Sequence, residues 1–188
     1  AEVSGPRRGE HGATGRGGSI WVPFGQKIAA ITGKKIVFST FGVGGSTIQR
    51  WEDPKDLLPH MESNLASLKT TYPKVDYFLW VQGESDAEGN VPAYGKTLLR
   101  VADIAWGHYS STPFGVSSTT FCMDRMSTEL AAEQKRIATT TKGFFWLGDT
   151  DQFRSRGYRR DNCHFNAGGT KAVVDEFITH ITPLLKRN

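Results

Sequence analysis

Apolar positions along the chain fall into blocks that alternate between helical and extended spacing. Residues 21–32, WVPFGQKIAAIT, read as a helix stopped by Gly33. KIVFSTF, 35–41, is β-branched and aromatic and reads as a buried strand, broken by Gly42, Gly44 and Gly45. Leu57, Met61, Leu65 and Leu68 recur at helical spacing and place a helix over about 56–71. YFLWV, 77–81, is a second strand. Asn90 caps a helix that runs to about Tyr109, with Pro92 in its first turn. A third strand over 114–121, a helix from Ser127 to near Gly143, a fourth strand FFWL over 144–147 and a helix over about 167–185 complete the series. Residues 1–18 are rich in Gly, Arg and Glu, lack periodicity and read as loop or tail.

Strict alternation of helix and strand predicts an α/β protein with a parallel sheet and helices on both faces. No repeat or linker divides the chain, so residues 1–188 read as one domain. Functional residues of such sheets gather on loops at the carboxyl ends of the strands. Segments 42–51, 82–86 and 149–166 occupy those places.

Composition narrows the function classes. Hydrophobic residues make up 38% and charged residues 22% of the chain, a globular balance. No apolar run approaches the roughly 20 residues that a membrane helix needs. The net charge of +4 comes partly from Arg7-Arg8 and from the arginines of 154–160. No nucleic-acid motif accompanies it, so it reads as surface charge. Two cysteines, Cys122 and Cys163, are too few for a disulfide scaffold and show no metal-ligand spacing.

Candidate chemistry lies in the three loop segments. Asp161 stands three residues ahead of His164, so its carboxylate can fold back onto the imidazole Nδ1 and leave Nε2 as a general base. The plainer alternative is a packed His in a loop that Asn166 caps. Gln82 ends a strand and offers a side-chain amide that can stabilise an oxyanion. The alternative there is a polar turn. Gly42-Val43-Gly44-Gly45-Ser46-Thr47 lets the backbone turn sharply and present N–H groups, but it is neither a Walker motif nor G-x-G-x-x-G.

VGGSTIQRW, WVQGESD and DNCHFNAGGTKAV, in that order, resemble the SGNH (GDSL-like) hydrolases, and within them the sialate O-acetylesterase and acetylxylan-esterase-like branch. GGSIWVPFGQKIA is similar to the stretch leading into that branch's second strand, so the resemblance spans about 17–188. It implies a three-layer α/β/α sandwich on a flavodoxin-like parallel sheet. It implies a serine ester hydrolase that uses no cofactor and removes acetyl groups from carbohydrate. His164 would be the base and Asp161 its orienting partner. Gln82 and the backbone N–H of Gly45, with Gly44 as the alternative one residue away, would form the oxyanion hole.

The family's first block, a strand and a Gly-x-Ser turn, has no counterpart, and nothing before Gly17 reads as a strand. Ser4 and Ser19 are the stand-ins for the nucleophile; Ser46 and Ser85 read as structural or substrate-facing hydroxyls. The first strand of a flavodoxin-like sheet is internal, and its loss would expose buried backbone groups at about 1–3 kcal/mol each. Two expectations follow. A separate polypeptide, or sequence outside this chain, supplies the strand and serine, or the protein is an inactive carbohydrate binder. A lipase- or thioesterase-like activity ranks lower, because no long apolar lid is evident. A disulfide between Cys122 and Cys163 would pin the loop at His164 and imply an oxidising, secreted or periplasmic compartment; free thiols are the alternative. Trp51, Trp80, Phe153 and Tyr158 are candidates for stacking on sugar rings, with Trp80 more at home in the core. Arg154, Arg156, Arg159 and Arg160 read as solvated loop charge or as partners for an acidic sugar.

Overall fold

The computed structural model describes the backbone of residues 2–4 and all of 19–186. The chain forms two compact units, one from its two ends (up to Gly44 and from Leu147) and one from Gly45–Trp146.

The unit made by the ends pairs two short parallel strands, β1 (Glu2–Ser4) and β2 (Val37–Ser39), with Glu2 opposite Val37 and Ser4 opposite Ser39. The helix α1 (Trp21–Thr32) packs on the C-terminal helix, described below as α5. Phe24, fully buried, lies edge-on to Phe177 at 5.9 Å and stacks on Phe38 at 6.0 Å. Lys27 and Asp175 form an ion pair across the two helices.

The central unit holds α2 (Leu58–Thr71), β3 (Phe78–Trp80), α3 (Val91–His108), β4 (Phe114–Ser118) and α4 (Thr128–Thr140). β5 (Phe144–Asp149) begins there and runs on to Asp149, and α5 (Ala167–Leu185) closes the chain. β3, β4 and β5 lie side by side in that order as a parallel sheet, with Phe78 opposite Phe114 and Trp80 opposite Val116. Parallel neighbours need crossover connections, which α3 and α4 supply. All five residues of β4 are buried, as expected of a central strand covered on both faces. α3 buries Tyr94, Leu98, Val101, Ala102 and Ala105, one stripe at helical spacing.

The expected elements are present, and the expected absence of a first strand is corrected. Glu2–Ser4 is a strand of the chain's own, paired in parallel with β2. Three residues are too few to show periodicity, and the partner lies more than thirty residues away, so nothing local announced it. The assignment of 1–18 to loop or tail fails at 2–4; the rest of that stretch lies outside the described residues. β4 stops at Ser118, short of the expected end at 121, because the next amide, Thr119 N–H, donates to Gln134 Oε1 at 3.1 Å. β5 continues two residues further than FFWL suggested.

Candidate active site

The loop after β5 carries the first group of candidate residues. It folds back on itself through Asn166 N–H to Tyr158 O at 2.9 Å and Arg160 N–H to His164 O at 2.9 Å, with Arg159 and Phe165 bridged between them. Asn162 takes a left-handed φ of 61° at the tip. Asp161 organises the tip. Its Oδ1 accepts the amide N–H of Cys163 at 3.1 Å and of His164 at 2.7 Å. Its Oδ2 lies 2.7 Å from His164 Nδ1. Asn166 then caps α5 by accepting from Gly169 N–H at 3.0 Å.

This geometry fixes the chemistry of the pair. The backbone N–H of residue 164, then the His164 ring, hold the Asp161 carboxyl down at about 2, so it is ionised and can only accept hydrogen bonds. In the neutral ring the proton between the two therefore sits on Nδ1, which leaves the lone pair on Nε2. The pair is exposed, His164 by 63% and Asp161 by 47% of their side chains, so Nε2 is reachable from solvent.

The second group lies in the central unit. Gly45 has φ +70°, a left-handed turn natural to glycine, and the space where a side chain would stand is open. Ser46 is buried and its Oγ accepts from Trp51 Nε1 at 3.0 Å. Gln82, at the exit of β3, donates from Nε2 to Ser46 O at 2.9 Å and to Asp86 Oδ2 at 2.6 Å. The same Oδ2 accepts Ile48 N–H at 3.0 Å. Both neighbours of Nε2 are acceptors, which fixes the orientation of the amide. Gln82 Oε1 is buried and has no partner among the described residues. Burial raises the Asp86 carboxyl above its ordinary range, while the Gln82 and Ile48 hydrogen bonds act against that shift.

Beneath this loop Gln134 Nε2 donates to Gln82 O at 2.8 Å and to Tyr94 Oη at 2.9 Å, and Tyr94 donates to Gln82 O at 3.0 Å. Sequence reasoning missed Gln134, although a signal existed. It shares a helical face with the buried Leu130 and Ile137, where an apolar residue is expected.

Of the remaining candidates, Ser19 is exposed and its hydroxyl accepts Trp21 N–H at 3.2 Å at the start of α1. Ser85 sits exposed in a short 3₁₀ turn, Glu84–Asp86. Ser4 is the last residue of β1. Trp51 is buried edge-on to Trp80 at 5.2 Å, so it is a core residue and not a sugar platform. Phe153 packs edge-on to Tyr158 at 5.3 Å, and Tyr158 is partly exposed. Arg154, Arg156 and Arg160 are exposed, but Arg159 is buried, which corrects its reading as solvated charge. Neither cysteine is a free thiol. Among the described residues no group of three or more His, Cys, Asp or Glu is placed to hold a metal ion, and no helix is long and apolar enough to cross a membrane.

A family model described as carbohydrate esterase, sialic acid-specific acetylesterase, matches residues 10–177. Among solved structures, the chain is similar to a protein from Arabidopsis thaliana, with a TM-score of 0.71 and 15% identity over 92% of this chain and 69% of that one. It is similar also to a peptidoglycan O-acetylesterase, with a TM-score of 0.59 and 17% identity, over 81% of this chain and 48% of that one. At these identities both likenesses show the fold alone. No curated protein matches the chain.

Proposed function

This chain belongs to the carbohydrate esterase family of sialic acid-specific acetylesterases, and from that premise we propose that it removes O-acetyl groups from sugars by acyl transfer through a serine. The observation that carries the reading is the Asp161–His164 pair, with its 2.7 Å contact at Nδ1 and an ionised carboxylate. In the proposed mechanism His164 Nε2 takes the proton of the serine hydroxyl as it attacks the acetyl carbonyl. Asp161 holds the ring in the required tautomer and stabilises the imidazolium that forms. The imidazolium then protonates the departing sugar oxygen, and water, activated by the same Nε2, releases acetate.

Gln82 and the backbone N–H of Gly45 are the proposed oxyanion donors. Both amide protons of Gln82 are engaged at rest, so donation to the oxyanion exchanges the Ser46 carbonyl for the substrate oxygen. The reading requires this carboxamide and the imidazole to reach one ester group. Ser4 is preferred to Ser19 as nucleophile, because it ends a parallel strand, where the chemistry of such sheets collects. The Ser19 hydroxyl instead accepts the Trp21 N–H just ahead of α1.

The test is His164→Ala assayed on p-nitrophenyl acetate and on an acetylated glycan. Loss of the general base lowers kcat by about 10²–10⁴-fold with an unchanged circular dichroism spectrum. A fluorophosphonate probe labels Ser4 in the parent and not in the variant. Full activity without His164 refutes the mechanism. Absence of turnover in the parent, with measurable glycan binding, favours a carbohydrate-binding protein instead.

A further inference from the structure

The paired residues Asp161 and His164 are exposed on a loop tip, and an exposed ionic hydrogen bond holds a geometry only weakly. Something beneath the tip must fix it if the imidazole is to act at a defined point. One buried side chain is placed to do this alongside the amides of the turn. Arg159 is 4% exposed and lies under the turn. Its Nε donates to Phe153 O at 2.9 Å, its Nη2 to Thr150 O at 3.2 Å, and its Nη1 to Cys163 O. The face of the guanidinium rests on the Phe165 ring, with Cζ 3.8 Å from the centroid.

These four contacts have a pattern. Thr150 and Phe153 belong to the segment that leaves β5, and Cys163 and Phe165 flank His164 on either side. One rigid, planar fork thus ties both neighbours of the imidazole to the end of the strand. Lysine, a point charge on a flexible stem, lacks the fork needed to bind three carbonyls in fixed directions.

We propose that Arg159 is a positioning residue for the Asp161–His164 pair, acting from below the loop without touching substrate. The inference rests on the esterase reading above. Placement errors of about 1 Å in a reacting group cost on the order of 10²-fold in rate. The expected signature of Arg159→Lys, which keeps the charge and most of the volume, is therefore a fall in kcat of about 10–100-fold with KM unchanged.

Two further readouts separate positioning from general loss of structure. In Arg159→Ala, millimolar guanidinium restores kcat by filling the vacated place; it does not repair a misfolded protein. In Arg159→Lys, carboxyl NMR shows the Asp161 titration moving up from about 2 toward the ordinary carboxylate range, because the amide of residue 164 no longer sits squarely on Oδ1. Arg159→Lys with full kcat, or with an unmoved Asp161 titration, overturns the proposal. So does a loss in Arg159→Ala that guanidinium does not relieve while the protein stays folded. Full activity in His164→Ala would instead sink the esterase reading itself, so the two failures are distinguishable.

Discussion

Gly83 follows the candidate oxyanion residue, and replacing it with alanine tests how tightly that corner is built. Its φ is +152°, a region essentially closed to side-chain-bearing residues, and adopting it costs about 1–3 kcal/mol. A Cβ there would also land on the Thr119 carbonyl oxygen and 2.7 Å from Gln134 Nε2. Neither neighbour can retreat freely. Thr119 is held by its amide on Gln134 Oε1, and Gln134 is committed to Gln82 O and Tyr94. Overpacking of this kind adds about 1–3 kcal/mol. Gly83→Ala is therefore expected to destabilise the protein by about 2–6 kcal/mol, a fall in Tm of about 5–20 °C for a chain of this size. The control is Gly107→Ala in α3, where the added methyl meets nothing within 4 Å. It should be neutral or stabilising by up to about 1 kcal/mol through helix propensity. Thermal and urea melts followed by circular dichroism measure both. A Gly83→Ala melt superimposable on the parent would show that the corner yields, and would refute the packing argument.

Two other outcomes follow from the loop after β5. The Asp161 carboxyl should titrate at about 2 by carbon NMR, so it contributes stability above its unfolded value of about 3.8 that is lost as pH falls through 2. In His164→Ala the titration should rise only partway, because the amide of residue 164, the larger cause, still donates; a parent titration near 4 would contradict this. Cys122 and Cys163 should give no reactive thiol in unreduced, denatured protein and two after reduction, and two before reduction would contradict the structure.

The parts of the fold that could be read from the sequence are those governed by short-range chemistry. Asn90, Ser127 and Asn166 start their helices by accepting from amides three residues on, at 2.9, 3.1 and 3.0 Å. Each cap is a local event written in a short window. Asp161 and His164 were legible for the same reason, since a separation of three residues lets the carboxylate reach both ring and amide. β1 was not legible, because its existence depends on β2, and pairing across such a distance leaves no trace in three residues. Nor was the role of Arg159. Four arginines within seven positions look alike, and only the folded loop separates the buried one from the exposed three.

The two candidate groups differ in how their polar atoms are supported, and that difference bears on what each can do. Asp161 and His164 meet water, so their ionic contact is weak in itself and its geometry depends on the amides of the turn and on the guanidinium below. Gln82 is buried, with both protons of its Nε2 given to fixed acceptors and its Oε1 left without a partner among the described residues. An unpaired buried acceptor costs about 1–3 kcal/mol, and an apolar side chain of the same shape would avoid that cost. Leucine or methionine at the exit of β3 would remove that cost but would also take a donor from Asp86 Oδ2 and from the Ser46 carbonyl. The carboxamide is held there by Asp86 and Ser46, and in the proposed reaction it would serve the oxyanion by giving up its bond to the Ser46 carbonyl. The burial that makes Gln82 costly to the fold is the same property that would make its hydrogen bond to an oxyanion strong.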